Sequence, residues 1–497
     1  MRIAKLSAVA LTIVILVAGS LAASGFRGLD VGHKAVGLGG AFTAVADDWT
    51  AAWYNPAGYA EFYDDQLGLS HSFAHYRNEI TPSFRWGDQF ETGVLNDRTA
   101  YNDHQILSLP TAGFAVRLPV WGETVFGLSA YQPFDYQQDW KLYQHMLAYN
   151  ESTAVPASQY LNNFDIVAFQ LTAAREFVSE KLSLGLGLAV LRADLLYNDV
   201  TFRPNPYLQI DADWQYAHRP YDQIVNWSHQ DGYGFGFGFN AGLLWRQSDN
   251  LTLGLRAFVP TNITVDGEGT VEYYMPEVPY SQYDDPDLSG SVEMLLKSGS
   301  LVVDSSDFES TLSLPPVFAA GGAWQMSERL RLSLDLEYTV WSQFDGFKFE
   351  YTSHNLSSEP MYRLVAMKDS MMVAFLTSDL DRPVDWSNAL KAMLGVEYSY
   401  SDKLDIRLGG SYDQASASDD ELAMPQTFDL GPKLGFGGGF TVHLEQWDLG
   451  VAANYIHHDD VASAGLVDLN NDGIMDNLTG DYAGDTYQLV TSLNYRF

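Results

Sequence analysis

The chain has 497 residues, no cysteine, and 63 acidic against 28 basic side chains. No disulfide can staple it, and a net charge of -35 would repel a nucleic-acid backbone at long range while attracting divalent cations. Length alone suggests two or three soluble domains, but single β-barrels exceed that expectation, so patterning must decide.

At the N-terminus, Arg2 and Lys5 precede an apolar run from Leu6 to Val17 and then Ser20-Leu21-Ala22. This order of charged, apolar and small residues predicts a signal peptide over residues 1–22, and hence an exported chain. The run is shorter than the ~20 residues a spanning helix needs, and no later segment supplies one. Lipid tolerates only helices and closed sheets, which leaves a barrel as the way to live in a membrane. Residues 23–65 place Gly37, Gly39 and Gly40 before Ala41-Phe42-Thr43-Ala44-Val45-Ala46-Asp47-Asp48. They carry too little hydrophobic surface for a domain of their own and are long enough to occupy a barrel lumen. We therefore expect an N-terminal hatch at 23–65 and a barrel at 66–497.

Period-2 segments then recur to the last residue. Leu330, Leu332, Leu334, Leu336, Tyr338 and Val340 alternate with Arg331, Ser333, Asp335, Glu337, Thr339 and Trp341. Strands are expected near 66–77, 106–118, 123–132, 164–177, 181–193, 231–247, 251–262, 313–326, 329–345, 387–400, 403–413, 433–443, 446–458 and 484–497, fourteen in all. Most match the ~9 to 11 residues that cross a bilayer at a tilt. Short connections, such as Ser248 to Asn250 and Leu444 to Glu445, alternate with long ones at 194–230, 263–312 and 346–386, as in a barrel with periplasmic turns and extracellular loops. In one strand Tyr233, Phe235, Phe237 and Phe239 form an aromatic face suited to lipid, opposite Gly232, Gly234, Gly236 and Gly238. The final strand sets Tyr487, Leu489, Thr491, Leu493, Tyr495 and Phe497 on one face, and this aromatic end suits the signal that barrel-assembly machinery reads.

The residues Ser24-Gly25-Phe26, Ala46-Asp47-Asp48, Asn55-Pro56-Ala57, the Gly/Phe alternation from Gly234 to Gly242, Leu312-Ser313-Leu314-Pro315 and Tyr338-Thr339-Val340-Trp341-Ser342-Gln343-Phe344 follow one another in the order of a known family. The chain resembles the FadL/TodX outer-membrane transporters of long-chain fatty acids and other hydrophobic compounds. The resemblance covers nearly the whole mature chain. It implies an all-β, 14-stranded monomeric barrel with the hatch inside, passive uptake of a hydrophobic small molecule, and no cofactor for transport. It also implies capture between the third and fourth extracellular loops, gating by the hatch, and lateral exit into the membrane beside a kinked third strand.

Carried onto this sequence, the hatch and gating residues are Phe26, Asn55, Pro56 and Ala57. Ligand-groove candidates in the loops at 194–230 and 263–312 are Tyr197, Phe202, Trp214, Tyr216, Trp227, Tyr273, Tyr274 and Met275, whose aromatic density reads either as a greasy landing site or as packing that orders the loops. The segment from Leu364 to Leu376, with Met367, Met371, Met372 and Phe375, is a similar candidate. Gly127 and Pro133 are candidates for the lateral opening, because either can interrupt ladder bonding. Arg192 and Arg256 are candidates for facing the lumen, where pairing with luminal acids is the expected role. The stretch Ala35 to Phe42 is also similar to PorV-type barrels, which makes a scaffold or secretion-shuttle barrel with a protein partner the alternative.

Separately, Asp468, Asn470, Asp472, Ile474 and Asp476 have the spacing of a calcium loop with Gly473 at its sixth position, although Thr479 replaces the usual final glutamate. This reads either as a weak Ca2+ site in the last extracellular loop or as a solvated acidic turn. Neither Gly-x-Ser-x-Gly nor His-Glu-x-x-His occurs, and His457-His458-Asp459-Asp460 reads as a polar cluster at a strand end, so no enzyme is expected.

Overall fold

The structure is a computed structural model, described for residues 25–83, 98–103, 106–120, 122–143, 156–178, 181–204, 223–274, 301–357, 370–416, 423–427 and 431–497. Its sheet of 19 extended segments makes a closed barrel of 14 antiparallel staves. The staves are β1 (Gln66–Pro82), β2 (Ile106–Leu118), β3 (Thr124–Trp140), β4 (Tyr160–Val178), β5 (Leu182–Pro204), β6 (Gln223–Ser248), and β7 (Leu251–Pro260 resuming at Ile263–Tyr274). They continue as β8 (Leu301–Leu312, then Val317–Ser327), β9 (Leu330–Thr339, then Gly346–Ser357), β10 (Leu380–Pro383, then Ala389–Ser401), β11 (Leu404–Asp413), β12 (Lys433–Leu444), β13 (Trp447–Ser463) and β14 (Gly480–Arg496). A two-residue segment, Ala100–Tyr101, pairs with the far end of β1. Closure is complete, because β14 lies along β1 from Gln66↔Arg496 to Pro82↔Gly480 and leaves no sheet edge there.

Alternation fixes the faces. Phe235, Phe237, Leu186, Leu188, Leu334, Leu408 and Phe436 are exposed on the outer wall, while Ser333, Asp335, Asn240 and Thr441 point inward and are buried. At the end that carries the short turns, Trp245, Trp324, Tyr398, Trp447 and Phe497 are exposed beside one another, with Trp447 and Tyr495 rings 4.4 Å apart. This is an aromatic rim at a membrane interface. The other ends are longer than alternation of apolar residues suggests. β5 runs to Pro204 and β6 starts at Gln223, and residues 263–274, 301–312 and 346–357 are strand, so the flanks of the expected long loops are hairpin extensions.

Residues 25–62 lie inside the barrel, with Phe26, Phe42, Trp53 and Tyr59 fully buried. Small inner-face positions make room for them. A Cβ at Gly68 or Gly113 would strike Trp49, one at Gly127 would strike Tyr59, one at Gly409 would strike the Leu38 backbone, and one at Gly450 would strike His33. Polar bonds fix the segment to the wall. Thr43 N donates to Asp335 Oδ2 at 2.6 Å, and Lys34 and Arg331 share Asp47 at 2.7 and 3.1 Å. Arg331 continues to Glu397 at 2.7 Å, which holds Arg407 at 2.5 Å. Buried charges this deep need such pairing, since an isolated one carries a desolvation cost of several kcal/mol.

Candidate functional site

The site begins where the inner segment meets the wall. Asn55 is fully buried and caps the 3-10 turn Pro56–Glu61, accepting from Ala57 N at 3.2 Å. Its Nδ2 donates to Thr43 O at 2.8 Å and to Leu243 O of β6 at 3.1 Å. Pro56 at the start of the turn has no N–H to leave unsatisfied, and its backbone packs against Gly185 while its ring and Asn55 pack against Gly242. Asn-Pro-Ala is thus a fixed joint between the luminal segment and β5 and β6.

At the front of the same segment, Phe26 enters an aromatic chamber. Its ring centroid lies 4.9 Å from Tyr136, 5.0 Å from Trp386, 5.3 Å from Phe344, 5.8 Å from Phe164 and 5.9 Å from Phe347. Breaks in two staves supply this wall. β9 stops at Thr339, and a 3-10 turn, Trp341–Gln343, swings Trp341 and Phe344 inward. β10 is interrupted between Pro383 and Ala389, which brings in Trp386. Above the chamber lies a small inner cavity lined by Tyr197, Phe347, Val384, Trp386 and Met424, with Arg382 among them. A second small cavity lies on its outer side against Tyr160, Val200, Phe202, Met475 and Leu478.

Phe26 is also tied to the third stave. The β3–β4 register shifts between Tyr131 and Phe134, so that Gln132 and Pro133 bulge. Pro133 O accepts from Gly28 N at 3.0 Å, and Asp135 N donates to Phe26 O at 3.1 Å. Having turned inward, β3 leaves its other neighbour. β2 and β3 pair only from Leu118↔Thr124 to Ala112↔Ala130. Beyond that point Ile106–Thr111 pair with β1, and Phe134 to Trp140 pair with β4. The wall rejoins where Asp103 N donates to Asp139 O at 2.9 Å. Between these limits is a window in the ladder, with a small cavity against Tyr76, Leu107 and Gln137.

Among the lateral-opening candidates, Pro133 lies at the bulge. Gly127 keeps its ladder partners Ala115 and Thr172, and the space of its absent side chain is filled by Tyr59. Of the groove candidates, Tyr197 is buried between Phe347 and Phe349, at 5.1 and 5.2 Å, and Phe202 lines the outer cavity. Trp227 Nε1 donates to Ser158 O at 3.0 Å, Tyr273 OH donates to Leu376 O at 3.0 Å, and Tyr274 OH donates to Glu272 Oε2 at 2.7 Å. Trp227 and Tyr273 tie separate segments together, the Tyr274 bond stays within its own strand, and none of the three lines the cavities described above. Trp214, Tyr216, Met275 and Met367 lie outside the described residues. The helix Ser370–Leu376 sets Phe375 5.7 Å from Tyr273. Arg192 is on the outer face and pairs with Asp194 at 2.6 Å, so it does not face the lumen. Arg256 does, and lies 3.5 Å from Glu337, which also holds Arg27 at 2.9 Å, with both guanidinium groups stacked on Trp53.

The expected calcium loop has a different use for its oxygens. Asp468 accepts from Gly473 N at 2.9 Å, Asn470 from Asp472 N at 3.2 Å, Asp472 from Ile474 N at 2.7 Å, and Asp476 from Leu469 N at 2.8 Å. Among the described residues no group of three or more His, Asp or Glu is arranged to hold a metal ion. The structure therefore gives the Ca2+ expectation no support. The Ala35 to Phe42 stretch that resembles PorV barrels is buried in the lumen.

Trp341 is reached from sequence only as a strand-motif residue, and Trp386, Arg382 and Met424 are not reached at all. The one available signal was the loss of alternation at Val340-Trp341-Ser342, inside a motif read as strand.

A closed barrel with a lipid-facing apolar belt, an aromatic rim and a filled lumen is an outer-membrane β-barrel rather than an open pore. More particularly, the chain belongs to the family described as outer membrane protein transport protein (OMPP1/FadL/TodX), whose model matches residues 14–497. It is 22% identical to outer membrane protein P1 of Haemophilus influenzae over 98% of this chain and 97% of that protein. A match to P1 of strain Rd, at 24% identity, spans 67% of this chain and 65% of that protein. The long-chain fatty acid transport protein of Escherichia coli O6:H1 is 24% identical over 47% of this chain and 45% of that one. In fold the chain is similar to a FadL homologue of Pseudomonas aeruginosa, with a TM-score of 0.68 and 17% identity over 95% of this chain and all of that one. It is also similar to the toluene transporter TodX of P. putida, with a TM-score of 0.64 and 14% identity over 96% and 99%. The protein is accordingly an outer-membrane transport barrel, in a family of transport proteins rather than enzymes.

Proposed function

We propose that this protein admits hydrophobic small molecules passively through the outer membrane, by way of the aromatic chamber and the β2–β3 window. A ligand enters the outer cavity, moves to the inner cavity and the chamber, and leaves sideways into the membrane when the luminal segment shifts. The observation that carries this reading is the double attachment of residue 26. Its ring fills the chamber while its carbonyl accepts from Asp135 of the bulged stave that borders the window. Displacing the ring therefore pulls on the window. The periplasmic side is closed by the packed segment 25–62, which favours the sideways route. On the same reading, residues 1–22 are removed on export, residues 23–65 act as the hatch, and the mature barrel works as a monomer.

The native chain has no cysteine, so a reducible pair can be placed across the window, with Leu107→Cys and Gln137→Cys. Uptake of a labelled long-chain fatty acid, its methyl ester and toluene by cells carrying this variant should be slow when oxidised and recover with reductant. Equal uptake in both states would exclude the sideways route, and no gain for any of the three over cells lacking the protein would overturn the transport reading.

A further inference from the structure

Arg382 stands between the two cavities and lines both of them. Its guanidinium ties four parts of the chain together. Nε meets Asp199 Oδ2 of β5 at 2.5 Å, and Nη1 donates to Met475 O of the last loop at 2.7 Å and lies 3.6 Å from Asp476 Oδ1. Asp199 Oδ1 in turn accepts from Gln426 Nε2 at 2.7 Å, in the connection between β11 and β12. Arg382 Nη2 makes no hydrogen bond among the described residues. Any molecule passing from the outer to the inner cavity meets an arginine with one unused donor.

The charge around that donor is already more than balanced. Asp199 is fully buried and Asp476 nearly so, and they flank one guanidinium, which leaves the trio with one excess negative charge when all are ionised. No other cation lines either cavity among the described residues. The outer wall of the strand extensions carries the same sign. Asp231, Asp266, Glu268, Asp307 and Glu309 are exposed there, with Glu268↔Asp307 and Asp266↔Glu309 directly opposite each other. A carboxylate ligand would be repelled at long range by this wall and would find the only cation of the two cavities engaged. An uncharged acceptor would meet no such repulsion and could use Nη2.

We infer that Arg382 is a specificity-determining residue at the neck, and that it selects uncharged hydrophobic ligands bearing a hydrogen-bond acceptor, such as esters or ketones, over carboxylates and plain hydrocarbons. This rests on the transport reading above, and names its substrate class.

The test is calorimetric titration of the purified full-length barrel in detergent, at pH 7.5, with methyl decanoate, decanoate and decane. The ester should bind at least tenfold more tightly than the acid and several-fold more tightly than the alkane. Asp476→Asn should bring the acid about tenfold closer to the ester by removing one of the two carboxylates, and Arg382→Leu should erase the ester's advantage over decane. Heat-modifiable mobility on gels checks that each variant is folded. Acid binding equal to or tighter than the ester, equal binding of ester and alkane, or an Asp476→Asn variant with an unchanged acid-to-ester ratio would each overturn the inference while leaving transport standing. Binding of none of the three would instead sink the transport reading.

Discussion

The backbone N–H of Asp135 donates to the carbonyl oxygen of Phe26 at 3.1 Å, joining a bulged wall strand to the first described turn of the luminal segment. A partner bond from Gly28 N to Pro133 O, at 3.0 Å, completes a short stretch of sheet inside the barrel. β3 has exchanged β2 for the N-terminus at this height.

That exchange needs a glycine. A Cβ at residue 28 would lie 2.6 Å from the carbonyl oxygen of Gln132, so Gly28→Ala must push the two backbones apart, at a cost of roughly 1–3 kcal/mol. We expect a lower melting temperature in detergent together with a faster basal flux of toluene into liposomes, since the bulge loses its tether. Flux equal to the parent protein's would show that the tether does not restrain the window.

Gly127 tests the seating of the luminal segment independently of the wall. Its neighbours Ala115 and Thr172 keep the ladder intact, so Gly127→Leu should leave a closed, heat-modifiable barrel while evicting Tyr59. Limited trypsin digestion should then cut after Arg27 and Lys34 at least tenfold faster than in the parent. Unchanged protection would mean the wall deforms to keep Tyr59 in place.

Glu337 is the shared counter-ion of Arg27 and Arg256. Glu337→Gln leaves two stacked guanidinium groups on Trp53 without a balancing charge, and breaking a buried pair in this way costs about 3–5 kcal/mol. The denaturant midpoint of the refolded barrel should fall accordingly, and an exposed pair such as Arg192–Asp194, probed by Asp194→Asn, should move it by less than about 1 kcal/mol.

Asp476 gives the last loop a pH dependence. Burial pushes its carboxyl up to about 6, against the opposing pull of Arg382. A raised carboxyl binds its proton more readily folded than unfolded, so its contribution to loop stability is fully present below about pH 4 and is lost as pH rises through 6. Protease cleavage within residues 464–479 should be slower at pH 5 than at pH 8, and Asp476→Asn should flatten the difference.

Much of the barrel was legible because membrane strands write their two faces into the sequence. Leu334 and Tyr338 are exposed while Ser333, Asp335 and Glu337 are buried, as the alternation from Leu330 to Val340 implies. The strand extensions were not legible, since Asp304, Ser306, Asp307 and Glu309 lie beyond the lipid and carry no apolar period. The aromatic chamber was half visible: Phe26 came from family resemblance, but Trp386 reaches its place through an interruption of β10 that no local rule announces. Gly127 misled for a similar reason. Its value is space for Tyr59, 68 positions earlier in the chain, and the ladder break falls instead at Gln132 and Pro133.

The seam between β1 and β14 has a consequence for biogenesis. Gln488 Nε2 of the last strand donates to Asp30 O at 2.9 Å, and His33 N donates to Ser492 Oγ at 3.2 Å. Strand β14 therefore closes on a surface that includes the luminal segment, and that segment serves as a mandrel on which the cylinder is rolled shut. A chain beginning at residue 66 keeps every ladder bond of the seam yet lacks the form it closes around, so its defect should emerge in the rate and fidelity of barrel closure before it emerges in transport.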